Sequence, residues 1–339
     1  MKTILTIVTA TIGLTLMASA AHAGPTLDAV KKNDYVRCGV NTGLGGFSIP
    51  DSSGKWTGLD VDMCHAFAAA VLGDANKVKF IPLSSEQRFT ALQSGEIDVL
   101  SRNSTWTITR EGDLGTLFGP VTYYDGQGFM VSKKLGVKSA KELNGATICI
   151  QPGTTTELNV SDYFRGNDMK FTPVVIDNLA QVNASFFSGR CDVYTDDGSA
   201  LAAVRAAAPN PDDYVVLPER ISKEPLAPAV RQGDDEWFDI IRWTVFATIQ
   251  AEEWDITSKN VDTFNDTKNP DIQRFLGIGP GTGKSLHLDD KWAYNIVKQV
   301  GNYGEIYERN VGANTPLKLE RGLNALWNKG GLIYAPPAR

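Results

Sequence analysis

Only four cysteines and three histidines occur among the 339 residues, and neither type is arranged to hold a metal. Cys38, Cys64, Cys149 and Cys191 never approach C-x-x-C spacing, and His65 and His287 stand far apart, so no resident metal is expected. Positive charge is short too. There are 33 Lys and Arg against 39 Asp and Glu, a formal net charge of −6, which excludes a nucleic-acid partner gripped through its phosphates. No long apolar run follows residue 23, and the earlier one, Ile4 to Met17, is diluted by Thr6, Thr9, Thr11 and Thr15 below what a membrane span needs. A G-x-S-x-G elbow is missing. Gly277-Ile278-Gly279-Pro280-Gly281-Thr282-Gly283-Lys284-Ser285 imitates a phosphate-binding loop, but the pattern requires glycine where Ile278 stands and a strand before it. It reads as a surface loop, and no cofactor is implied.

What is present is the composition of a folding chain: 42% apolar, 9% aromatic and 21% charged residues, enough for a core of ordinary size. Lys2, the apolar stretch and Ala21-His22-Ala23 together predict an export signal over residues 1–23, cleaved after Ala23. The mature chain is then an exported protein, periplasmic in a bacterium. That compartment oxidises, so the even cysteine count predicts two disulfides, and four cysteines allow three pairings.

Strand and helix alternate along the chain. A strand over 35–40 leads through the Gly-rich loop 43–46 to a helix opening near Asp60; 78–83 and 97–100 read as strands with a helix over 86–93 between them. The pattern restarts at 146–150, runs into Gln151-Pro152-Gly153-Thr154-Thr155, and continues through strands at 171–176, 191–194 and 214–217 with helices at 179–189 and 199–208. Such alternation predicts largely parallel sheets with helices on their faces. The chain leaves one lobe near 123–130 and returns near 221–230, which makes a two-strand hinge, and the tail carries helical patches at 291–300 and 317–327.

Three segments at strand ends carry chemistry, because open α/β sheets present ligands there. Arg102 to Arg110 holds Ser104, Thr105, Thr107 and Thr109, and an arginine among hydroxyls can take a carboxylate in two-pronged fashion; equally, it can sit on a solvated turn with the hydroxyls as caps. Asp196-Asp197 could hold an ammonium, or cap the helix that follows. Gly153-Thr154-Thr155 offers N–H groups and hydroxyls at a helix start.

In order along the chain, Gly58-Leu59-Asp60-Val61-Asp62, the stretch Arg88 to Val99, Thr107-Ile108-Thr109-Arg110, Gln151 to Thr155 and Gly189 to Asp197 resemble the hallmarks of periplasmic polar amino-acid-binding proteins of ABC importers. Val300 to Ile306 and Arg321 to Asn324 resemble the general L-amino-acid branch. The resemblance implies an α/β, two-lobed periplasmic binding protein fold of type II, with a two-strand hinge and a helical C-terminal extension: lobe 1 over 24–125 and 228–339, lobe 2 over 126–227. It implies a monomeric receptor, not an enzyme, that captures several L-amino acids, polar and acidic ones included, and delivers them to membrane permease subunits. By residue, it implies Arg110 on the ligand carboxylate with Thr107, Ser104 and Thr105 beside it, Asp197 on the ammonium, and Thr155 as partner from the second lobe. Many members carry two more residues before the arginine than Thr109-Arg110 allows, so the local turn differs here. Asn41, Leu44 and Ser85 stand where the side-chain pocket would lie and give it neither fixed charge nor aromatic stacker. Since a bridge between lobes would lock the hinge, the expected pairs are Cys38–Cys64 and Cys149–Cys191. A lyase on the same fold would need a further acid or base, for which Glu86 and Asp196 are candidates, and a sensor feeding a membrane receptor is a third reading.

Overall fold

The structure, a computed structural model, describes residues 24–338, so the export signal expected over 1–23 lies outside the described residues. Two five-stranded sheets build two lobes. In the first, the strands Val36–Asn41, Val78–Leu83 and Val99–Leu100 run parallel, and Ala229–Arg231 joins them antiparallel beside Thr116–Phe118. In the second, Thr147–Ile150, Thr172–Val175 and Val193–Asp197 are parallel, while Gln127–Ser132 runs against Val193–Asp197 and Tyr214–Val216. Four of the five strands in each sheet therefore run the same way, largely parallel as alternation predicted, and one strand in each makes the sheet mixed. The reason is the path: the chain crosses between lobes twice, and the strand that follows each crossing, Gln127–Ser132 and then Ala229–Arg231, enters its sheet in the opposite sense.

The crossings themselves pair. Tyr123–Asp125 and Glu224–Leu226 form a two-stranded antiparallel ribbon between the lobes, with Tyr124 opposite Pro225. Each lobe carries its own disulfide, Cys38–Cys64 in the first with Cα atoms 6.1 Å apart and Cys149–Cys191 in the second at 5.6 Å, so neither bridge crosses the hinge.

The helix Leu59–Leu72 has four alanines and a nearly all-apolar surface because it is covered on both sides. It packs under the first sheet and against Asp235–Glu253 and Trp292–Gln299, whose Trp237 and Trp292 are among the largest fully buried side chains. The tail thus closes the first lobe's core. It is helical at Trp292–Gln299 and again at Tyr303–Asn310, where Asn302 and Glu305 form a reciprocal capping box. The helix expected over 317–327 is not there: a 3-10 turn at Gly322–Asn324 replaces it, because Asn324 uses its amide to bond both the N–H (2.6 Å) and the C=O (3.1 Å) of hinge residue Tyr124. Tyr303 adds a hydroxyl bond to the Thr122 carbonyl at 2.8 Å. The extension braces the hinge.

Candidate functional site

The carboxyl ends of both sheets face each other across the hinge, and the lobes meet there. Ser85 of the first lobe donates to the Pro152 carbonyl of the second at 2.8 Å, Arg88 donates to the Gly153 carbonyl at 3.2 Å, and the hydroxyls of Thr105 and Thr155 lie 3.3 Å apart. Gly153 holds φ of +69°, which lets the Gln151–Thr154 turn present its carbonyl to Arg88 at no steric cost. Behind this seam Glu224, on the hinge ribbon and 2% exposed, accepts from Thr105 (2.5 Å) of one lobe and from Thr155 (2.8 Å) and Asn159 (2.7 Å) of the other.

Each side chain in the cleft is freed by a local arrangement. Thr154, not Thr155, caps the helix Thr155–Gly166, accepting from the Glu157 N–H at 3.1 Å, which leaves Thr155 to face the cleft. The helix Gly198–Ala206 gets its N-terminal cap from hinge residue Asp125, whose carboxylate accepts the Ser199 N–H at 3.1 Å. Neither aspartate before that helix caps it: Asp196 accepts the Asp197 N–H at 2.9 Å, and Asp197 makes no cap bond, with Oδ1 buried and unpartnered among the described residues.

Opposite it stands Arg88. The helix Gln87–Ser94 puts position 88 on the same face as Ala91 and Leu92, so the guanidinium is drawn inside, 3% exposed. It donates to Ser104 Oγ at 3.3 Å as well as to Gly153, and its buried Nε has no partner among the described residues. Arg102 is also inside and lines the same cleft, with Nε donating to the Leu83 carbonyl at 3.0 Å.

Burial dominates the electrostatics. It pushes the Asp197 carboxyl well above the usual carboxylate range, helped by the nearby Asp125, Asp196 and Glu224, and pushes Asp196 up to about 6. Burial likewise lowers Arg88, with Arg110 and Arg102 adding repulsion, and brings Arg102 to about 10.

Of the residues the sequence nominated, Asn41, Thr105, Thr155 and Asp197 line this cleft together. Asn41 spends its amide on Asn103 at 3.0 Å. Ser104 is fully buried behind Arg88. Thr107 and Arg110 face a neighbouring cavity between the lobes, bounded by the helices Ile108–Gly112 and Thr155–Gly166. Thr107 caps the first of these helices, and Arg110 donates to the Thr105 carbonyl at 2.7 Å while stacking over Phe89. The short segment before Arg110 explains this placement: the arginine falls in the first turn of its helix and reaches back toward Thr105. Arg88 lies outside the ligand-binding set that the sequence led us to expect, although the helical spacing Arg88, Ala91, Leu92 signals a side chain turned inward. Of the two acid or base candidates a lyase would need, Glu86 does not line the cleft, and Asp196 lines it while accepting the Asp197 N–H.

Comparison with known proteins agrees with this geometry. Residues 36–260 match the family model of bacterial extracellular solute-binding proteins, family 3. The general L-amino acid-binding periplasmic protein AapJ of Rhizobium johnstonii is 60% identical over 98% of this chain and 99% of its own length. The glutamate/glutamine/aspartate/asparagine-binding protein BztA of Rhodobacter capsulatus is 53% identical over 97% of each. Among solved structures, an ABC transporter periplasmic binding protein from Brucella ovis with glutathione bound superposes with a TM-score of 0.91 at 55% identity, covering 94% of this chain and 100% of that one. These relatives are solute-binding proteins and not enzymes, and they lend the lyase reading no support. With its two mixed sheets, paired hinge strands and facing sheet ends, the chain has the type II periplasmic binding protein fold and belongs to family 3 of the bacterial extracellular solute-binding proteins.

Proposed function

We propose that this chain is the periplasmic receptor for L-amino acids of an ABC importer, closing around its ligand and handing it to the membrane permease. One observation carries the reading: Arg88 Nε on one lobe and Asp197 Oδ1 on the other are both buried in the cleft, opposite in charge and unpartnered among the described residues. A free amino acid supplies both missing partners at once, its carboxylate to Arg88 and its ammonium to Asp197, with the Thr155 and Thr105 hydroxyls beside them. Arg110, across the Thr105–Thr155 seam, acts through its charge. Because the two clamps sit on different lobes, binding and closure are one event. The lobes divide at the hinge ribbon, 24–125 with 228–339 against 126–227, residues 1–23 direct export, and the receptor works as a monomer.

The names of the relatives support a broad ligand set that includes glutamate, glutamine, aspartate and asparagine. The glutathione of the Brucella ovis protein fits the same clamps, since a γ-glutamyl group keeps a free α-ammonium and α-carboxylate. Thermal melting of ligand-stripped protein with each L-amino acid in turn tests the reading: a ligand at 100 times its Kd stabilises by about 2.7 kcal/mol, which moves the transition visibly. A panel in which no L-amino acid raises the melting temperature overturns it.

A further inference from the structure

We infer that Arg102 reads the ligand's side chain, donating to an oxygen at its end, and that this one shared acceptor lets a single pocket take both acidic and amide amino acids. The inference rests on the receptor reading above and names what that reading leaves open.

Arg88 and Arg102 both line the cleft but are held differently. Arg88 is tied to Ser104 and Gly153, and Asp197 is among the charges that act on it. Arg102 is pinned through Nε to the Leu83 carbonyl, and Asp60, Asp177 and Asp196 are the carboxylates that act on it, not Asp197. Both terminal nitrogens of Arg102 are without a hydrogen-bond partner among the described residues, although the side chain is 3% exposed. With the α-carboxylate on Arg88 and the α-ammonium on Asp197, these nitrogens are the cleft donors left for the ligand's side chain.

A guanidinium only donates. Glutamate, glutamine, aspartate and asparagine all end in an oxygen that accepts, whereas lysine and arginine end in donors and find no acceptor on Arg102. A charged ligand end is not required, because Asp60, Asp177 and Asp196 already act on Arg102 with opposite charge. A neutral amide and a carboxylate are then served by the same two donors.

The test is calorimetry on ligand-stripped wild type and Arg102→Met with L-glutamate, L-glutamine, L-norleucine, which matches glutamine in reach but has no acceptor, and L-alanine. In the wild type, glutamate and glutamine bind at least about tenfold more tightly than norleucine, the order of one hydrogen bond to a charged group. In Arg102→Met both lose about tenfold or more, while alanine changes by less than about twofold. Norleucine binding the wild type as tightly as glutamine overturns the inference without any variant having to fold. So does an equal loss for alanine and glutamate in the variant, which would put Arg102 in the head-group clamp. A wild type that binds none of the four would overturn the receptor reading itself.

Discussion

Asp197 ends a buried strand, and its carboxylate is left without the helix cap that its position would ordinarily supply, since Asp125 provides one. Removing its charge with Asp197→Asn should weaken amino-acid binding by about 2 to 5 kcal/mol, because the ligand ammonium is then buried unpaired; calorimetry showing wild-type affinity would remove Asp197 from the site. Arg88→Ala should be as damaging, while Arg110→Ala, one cavity away, should cost about tenfold at most. The reverse order would return the carboxylate to Arg110. The pH dependence has a definite sign. Asp197 is held well above the ordinary carboxylate range by burial and by Asp125, Asp196 and Glu224, and Asp196 titrates at about 6. Protons compete with the ammonium for Asp197, so affinity should fall as pH drops through its raised pKa, by up to about tenfold per pH unit for one proton displaced. An affinity constant from pH 5 to 7.5 would contradict this.

At the scale of elements, the hinge ribbon does more than join the lobes. Glu224 collects donors from both, Thr105 on one side and Thr155 and Asn159 on the other, and so favours the closed arrangement. Glu224→Gln removes the charge that strengthens those bonds, and we expect Kd to rise about tenfold, consistent with 1.5–3 kcal/mol for bonds to a charged group partly recovered by the amide. The melting temperature of the ligand-free protein should hardly move. Unchanged affinity would make Glu224 a mere buttress. The same elements show where sequence reading succeeds. Strands such as Val78–Leu83 and helices such as Leu59–Leu72 are set by local apolar pattern and punctuation, and the hinge follows from the chain's double crossing. Strand sense, the missing helix near Gly322–Asn324 and the Asp125 cap each depend on partners about 75 to 200 residues away, which no local pattern encodes. Arg110, expected on the ligand carboxylate, faces the neighbouring cavity in this structure, because a motif fixes which residue types meet whereas a shorter turn changes where one of them points.

For the molecule as a whole, the proposed placing of one clamp on each lobe would make closure the means of recognition. The intralobe disulfides and the braced hinge keep each half rigid while leaving the movement between halves free. It follows that a ligand with only one of the two charged groups cannot hold the lobes together. The most direct measurement is calorimetry of the ligand-stripped protein with L-glutamine, with 4-aminobutanamide, which lacks the α-carboxylate, and with glutaramic acid, which lacks the α-ammonium. The account predicts a Kd near 1 μM or tighter for glutamine, about 8 kcal/mol, and at least about a hundredfold weaker binding for both analogues. Either analogue binding as tightly as glutamine would contradict the two-lobe clamp of Arg88 and Asp197.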